Sequence, residues 1–354
     1  MSWFSSLSLR ARTLVVGSTV SVVLIGVGAS VPIPYVALGP GVTYNTLGSA
    51  DGTPVISFAG DAPASVRQSD GSGHLNMTTV SVYDSMPLFE ALGMWASGNY
   101  ALVPRAEVYP PDKTIEQVNQ QNTQDFRDSQ SSAEIAALRY LKYPNVVYVG
   151  TIAQGSPSFQ VLQPQDQITA INGTAVTDFS SLQAALKNTL PNQNAAVTVL
   201  RAGKTVKIDI KLQANPSVGK QGFLGIGAVE RPKAPFTISI SLANIGGPSA
   251  GLMFTLGILD KLTPGGLTNG RYIAGTGTME VDDTKGTVGP IGGILLKMIA
   301  AKGAGASVFL VPADNCAEAL TRVPSGLELA KVTTLDDAVK ALKTLAAGGT
   351  PPSC

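Results

Sequence analysis

One histidine and two cysteines are all that the 354 residues hold of the side chains most used for nucleophilic and metal chemistry. Cys316 and Cys354 are too few for a disulfide-dense scaffold or a cysteine-rich zinc site. The lone His74 stands beside a Gly/Ser-rich stretch and reads as a surface or strand residue, so histidine-based catalysis has almost nothing to work with. Charge is scarce too, at 14% against about 25% in ordinary soluble chains. Lys+Arg 25 against Asp+Glu 24 leaves +1 with no basic block, which excludes nucleic acid as a partner. Apolar residues reach 44% and mean hydropathy is +0.20, so long disorder is excluded. The length implies two or three domains at about 150 residues each.

The longest uncharged apolar run lies near the N-terminus. Arg10 and Arg12 precede Thr13–Val31, nineteen residues rich in Val, Leu, Ile and Gly. As a helix they rise about 28 Å, close to the hydrocarbon thickness of a bilayer. The arginines keep residues 1–12 in the cytoplasm and send the remainder across. Pro32 and Pro34 end the helix. A cleaved signal peptide is the rival reading, because Val27-Gly28-Ala29 offers small residues suited to cleavage. The run exceeds the usual 7–15-residue signal core, so an uncleaved single-pass anchor over 13–31 is preferred, with the bulk of the chain extracytoplasmic in the cell membrane.

Residues 32–132 form the next region, with a strand-like Thr78–Tyr83 and a helix-like Leu88–Ala96. The Gln/Asn/Ser-rich stretch 116–132 is solvated, either as an exposed helix or as a loop. The pattern then changes. A helix-like Ala133–Leu141 leads to a strand at Val146–Ile152, then Gln165-Asp166-Gln167-Ile168 and Ile171-Asn172-Gly173. A helix carrying Leu182, Ala185 and Leu186 comes next, then two alternating strands joined through Ala202-Gly203-Lys204. Asn-Gly supplies residues tolerant of positive φ in a tight turn. This stretch, 133–214, resembles a PDZ domain of the bacterial protease type, with Gln165-Asp166 where Gly-Asp is usual. The resemblance implies binding of extended peptides at a sheet edge; the peptide-contacting residues are not identified.

Chemistry concentrates between 245 and 303. Gly246-Gly247-Pro248-Ser249-Ala250-Gly251 opens an apolar helix running to about Leu262. Ala274-Gly275-Thr276-Gly277-Thr278 follows, and Gly289-Pro290-Ile291-Gly292-Gly293 leads into a helix bearing Lys297. Gly247-x-Ser249-x-Gly251 alone reads as a nucleophile elbow, but the α/β-hydrolase order needs a later histidine and there is none after position 74. A lysine can replace it if its amine is neutral, which requires undoing about 4 kcal/mol of its preference for the charged form by burial. Lys297 fits, because Gly293, Ile294, Ala300 and Ala301 surround it on its helix. Lys261 lies about 18 Å from the serine along its own helix, and Lys285 follows the acidic Asp282-Asp283. The helix start after Ser249 offers backbone N–H groups and a positive dipole end to an oxyanion, with Gly247, Pro248, Ala250 and Gly251 forming the nucleophile loop. Thr276 is a candidate to orient the amine. Singly, Ser249 reads equally as a helix N-cap and Lys297 as a lysine snorkelling at a helix edge.

The ordered set Gly-Pro-Ser-Ala-Gly, Thr-Gly and Pro-Ile-Gly-Gly-x-x-x-Lys resembles the proteolytic domain of Lon-type proteases over about residues 225–345. That resemblance implies Ser249 as nucleophile, Lys297 as general base and Thr276 as supporting hydroxyl. Gly246 stands where ATP-dependent members often carry an acid. The whole order resembles the bacterial membrane-anchored PDZ–Lon-like serine proteases. The fold expected is α+β multidomain, with a transmembrane helix, a PDZ-like domain and a Lon-type domain over 215–345, then a disordered tail at 346–354. The function expected is an ATP-independent serine endopeptidase acting on proteins or peptides, needing no cofactor or metal, with a hexameric ring suggested by the resemblance. Gly203-Lys204-Thr205 is no phosphate-binding loop, since Thr198 occupies the required glycine position. The alternative is a catalytically silent, membrane-tethered PDZ adaptor that binds peptide termini.

Overall fold

The computed structural model describes residues 8–63, 73–243, 245–281 and 285–354. In chain order the principal elements begin with helix α1 (Leu9–Ser30), strands β1 (Tyr35–Asn45) and β2 (His74–Tyr83), helix α2 (Leu88–Ala96), strand β3 (Ala101–Pro104) and helix α3 (Ile115–Tyr140). Strands β4 (Asn145–Ile152) and β5 (Gln167–Ile171), helix α4 (Phe179–Lys187), and strands β6 (Asn194–Arg201), β7 (Lys204–Lys211) and β8 (Ile226–Pro232) follow. The last group is α5 (Gly251–Leu262), β9 (Tyr272–Gly275), α6 (Ile294–Gly303), β10 (Val308–Pro312), β11 (Glu328–Val332) and α7 (Leu335–Ala346).

These elements form two compact units. One holds the residues up to 57, 63–133 and 239–354; the other holds 58–62 and 134–238. The first unit is built on a sheet of order β11-β10-β9-β2-β1-β3. Strands β11, β10, β9 and β2 run parallel, while β1 is antiparallel to both β2 and β3. The stretch 32–132, expected as a region of its own, thus supplies half the sheet of the C-terminal segment. His74 pairs with Tyr272 and Met77 with Gly275. Strand β10 reads Val-Phe-Leu-Val-Pro and is buried at every position, as a strand covered on both faces must be. Helix α5 is buried along its whole length, and up to Leu259 it is apolar on nearly all sides, with Asp260 and Lys261 confined to the last turn.

Helix α1 begins four residues before the expected span, taking in Arg10 and Arg12, ends one residue short of it, and has only Gly28 buried. It is long and apolar enough to cross a membrane, and its exposed leucines and valines exclude a core helix. The polar stretch 116–132 is helical. The Thr114 and Gln117 amides each donate to the other's side-chain oxygen as a capping box, and Gln121–Asp125 and Gln124–Asp128 pair one turn apart. The tail is not loose. The Lys331 amide donates to the Pro352 carbonyl at 2.9 Å, and Cys316 and Cys354 form a disulfide.

In the second unit, an antiparallel sheet of order β7-β6-β5-β4-β8 covers Val147, Ile168, Ile171, Val197 and Val199. Asn172-Gly173 and Ala202-Gly203 turn their hairpins with positive φ at both residues. The unit continues to Ile238, past the boundary expected at 214, because β8 completes its sheet beside β4.

Candidate functional site

A cleft of about 700 Å³ in the first unit is lined by both Ser249 and Lys297. Ser249 lies at the end of a glycine turn that places it just ahead of α5. Gly247 takes φ 89° there, a conformation that side chains resist, and its amide donates to the Asn122 carbonyl of α3 at 2.8 Å. Gly246 packs against the same helix: a Cβ on it would come within 2.7 Å of Asn122 Cβ. An acid at that position has no room. The Ser249 carbonyl accepts from the Gly277 amide and from Thr276 Oγ1, each at 3.0 Å. Ser249 is not an N-cap, since Ala250 holds that position and no side chain caps the helix. The Leu252 amide of the first turn donates to Gly277 O.

Lys297 reaches the serine from α6. Gly293 opens that helix in the left-handed region, and Ile294, Leu296, Met298 and Ala301 are buried around the lysine. Lys297 is itself only 3% exposed, which excludes snorkelling. Its Nζ lies 2.6 Å from Ser249 Oγ and 3.0 Å from Thr276 Oγ1. Burial in this apolar setting lowers its pKa from 10.5 to about 8. Thr276 directly follows β9, so the end of a central strand sets the third group. The arrangement is a hydroxyl, an amine with a weakened hold on its proton, and a second hydroxyl steering that amine.

The rest of the cleft had no local signal in the sequence. Val42, Tyr44 and Met77 come from β1 and β2, Phe126 from α3, and Ile245 from the serine loop. They come from separate stretches of chain between 42 and 245 and meet only because sheet pairing and helix α3 bring those stretches together. His74 is a strand residue stacked on Tyr272 at 4.2 Å between ring centroids. Asp282 and Asp283, the acidic neighbours expected beside Lys285, lie outside the described residues.

A second groove of about 680 Å³ belongs to the other unit. It runs between α4, through Leu182, Ala184 and Leu186, and the segment Gly222-Phe223-Leu224-Gly225-Ile226. Strand β8, which begins at Ile226, is the edge of its sheet. The glycine-flanked Phe223-Leu224 pair that lines this groove falls beyond the expected boundary at 214 and carried no reading in the sequence.

Residues 118–212 match the PDZ domain family, and residues 243–344 match the Lon protease (S16) C-terminal proteolytic domain. A Lon protease from Azospirillum brasilense is 38% identical over 97 residues, which are 27% of this chain and 11% of that protein. A Lon protease from Lachnoclostridium phytofermentans is 25% identical over 194 residues, 52% of this chain and 23% of that protein. The matches therefore span less than a quarter of these curated relatives. Among solved structures, the PDZ domain of an SdrC-like protein from Listeria monocytogenes is similar at 26% identity, covering 23% of this chain and 86% of that one, with a TM-score of 0.22.

Proposed function

From a chain that carries a PDZ domain followed by a Lon-type proteolytic domain, we propose an ATP-independent serine endopeptidase with a Ser249–Lys297 dyad. The observation that carries this reading is the 2.6 Å contact between Lys297 Nζ and Ser249 Oγ at an amine buried to 3% exposure. In the neutral amine, one N–H donates to Thr276 Oγ1, which passes its own proton toward Ser249 O. That leaves the nitrogen lone pair to accept the Ser249 hydroxyl proton. Ser249 Oγ then attacks a peptide carbonyl, and the amine takes the proton. When the tetrahedral adduct collapses, the ammonium returns that proton to the departing amine, leaving an acyl-enzyme. Water, deprotonated by the same lysine, releases the acyl group. The start of α5 beside Ser249 favours the oxyanion.

Val42, Tyr44, Met77, Phe126 and Ile245 give the cleft an apolar lining suited to extended segments of unfolded protein. The groove beside β8 receives peptide ends by strand addition in the other unit. Helix α1 anchors the chain once in the membrane with residues 1–12 in the cytoplasm, and the Cys316–Cys354 pairing agrees with an oxidising compartment for the rest.

The test is cleavage of an unfolded protein by the full chain in detergent or vesicles. Ser249→Ala and Lys297→Ala each lower the rate about a thousandfold or more, and ATP with magnesium changes nothing. Wild-type rates in both variants would sink the assignment. Peptide binding without any cleavage by the parent protein would leave an adaptor.

A further inference from the structure

A helix bordering solvent ordinarily keeps one polar face. Helix α2 does not. Ala91 and Met94 turn inward onto a small cluster with Ala37 and Met86. Leu88, Phe89, Leu92 and Trp95 stand outward, 41%, 47%, 46% and 63% exposed. Leu88, Leu92 and Trp95 follow at i, i+4 and i+7, so they form one stripe with Phe89 beside it. Glu90 is the one charge in the helix.

The position of this stripe is set by the end of α1. The Phe89 ring lies against Gly28, where a Cβ would come within 2.8 Å of it. Pro32 and Pro87 form a β-bridge, and the Ile33 amide donates to Met86 O at 3.1 Å. Gly28 is two residues from the end of α1, about 3 Å of helix rise. Whatever surrounds the last turn of α1 therefore surrounds Phe89.

We propose that the outward face of α2 is seated in the lipid bilayer, at the boundary between headgroups and acyl chains where α1 leaves it. This rests on the anchor reading of α1. A tryptophan beside apolar side chains suits that depth, where amphipathic rings collect. The seat gives the unit a second hold on the membrane surface besides α1, so its orientation is restrained rather than free to swivel.

The chain has two tryptophans, Trp3 and Trp95, so Trp3→Phe in the full chain leaves Trp95 as the single reporter. In phosphatidylcholine–phosphatidylglycerol vesicles, lipid brominated at shallow acyl positions removes most of the Trp95 emission, and iodide removes little. Leu92→Glu reverses the two responses. If iodide quenches and bromolipid does not, while the chain resists carbonate extraction, the seat is overturned and the anchor stands. Shielding from both quenchers puts protein over the stripe and overturns the seat as well. Release of the chain by carbonate removes the anchor reading, and the seat with it.

Discussion

Lys297 is costly to keep and useful because of that cost. Its amine sits among apolar side chains with two hydroxyls for company, so its charged form is poorly solvated and its pKa falls to about 8. In the proposed dyad the active form is the neutral one. Peptidase activity therefore rises as pH passes through about 8 and levels above it. A pH–rate profile of kcat/KM that kept climbing toward the 10.5 of a solvated lysine would show that the amine is not buried in the working enzyme. The same burial weakens the fold. The gap between 10.5 and about 8 corresponds to roughly 3 kcal/mol. The unfolded chain binds the extra proton, so this penalty is complete below pH 8 and is relieved as pH rises toward 10.5. Lys297→Met should raise the Tm at pH 7 while abolishing cleavage, and the gain should shrink above pH 10. An unchanged or lowered Tm at neutral pH would contradict it. Ser249 and Lys297 were both readable in the sequence, because glycine-flanked motifs announce a tight turn and a helix start. Their contact was not, because 48 residues of chain separate them.

At the scale of elements, α3 illustrates how a polar sequence hides a positioning role. Its composition left helix and loop open, although the Thr114–Gln117 capping box was a readable start signal. Its Asn122 carbonyl holds Gly247, and its Phe126 lines the cleft. Neither role follows from periodicity, since the contact partner lies on a loop more than a hundred residues later. The edge strand β8 and helix α4 carry the second groove in their own unit. Ala184 is exposed and lines that groove, so Ala184→Arg obstructs it without touching the core. Binding of C-terminal peptides, followed by fluorescence anisotropy, should weaken at least about tenfold, or 1.4 kcal/mol. Cleavage of a short unstructured peptide at Ser249 should stay at the parent rate. Undiminished peptide binding would place the recognition surface elsewhere.

The molecule as a whole closes its C-terminus onto its sheet. Pro352 extends the hydrogen bonding of β11, and Cys354 is tied to Cys316 thirty-eight residues earlier. Closing a loop of that length restricts the unfolded chain by roughly 2–4 kcal/mol. Cys354→Ser should lower the midpoint of denaturant unfolding under oxidising conditions, and reductant should lower the parent protein to match. Equal stabilities with and without reductant would mean that the tail contributes nothing. The tail reads as disordered in sequence because Gly, Thr, Pro and Ser leave no periodic signal, and a pairing of two distant cysteines has none either.

The sequence by itself determined the order of the parts: an apolar anchor-like helix, a PDZ-like domain and a domain with a serine and a lysine in glycine-bounded motifs. Local chemistry suffices for these, since hydropathy, turn residues and helix starts are properties of neighbours along the chain. Tertiary structure alone decided that β1, β2 and β3 belong to the sheet beneath Lys297, that α3 holds the serine loop, and that the second unit runs on to Ile238. Parallel pairing across some two hundred residues leaves no mark on the segments it joins. The lowered pKa of one amine depends on everything that keeps water from it.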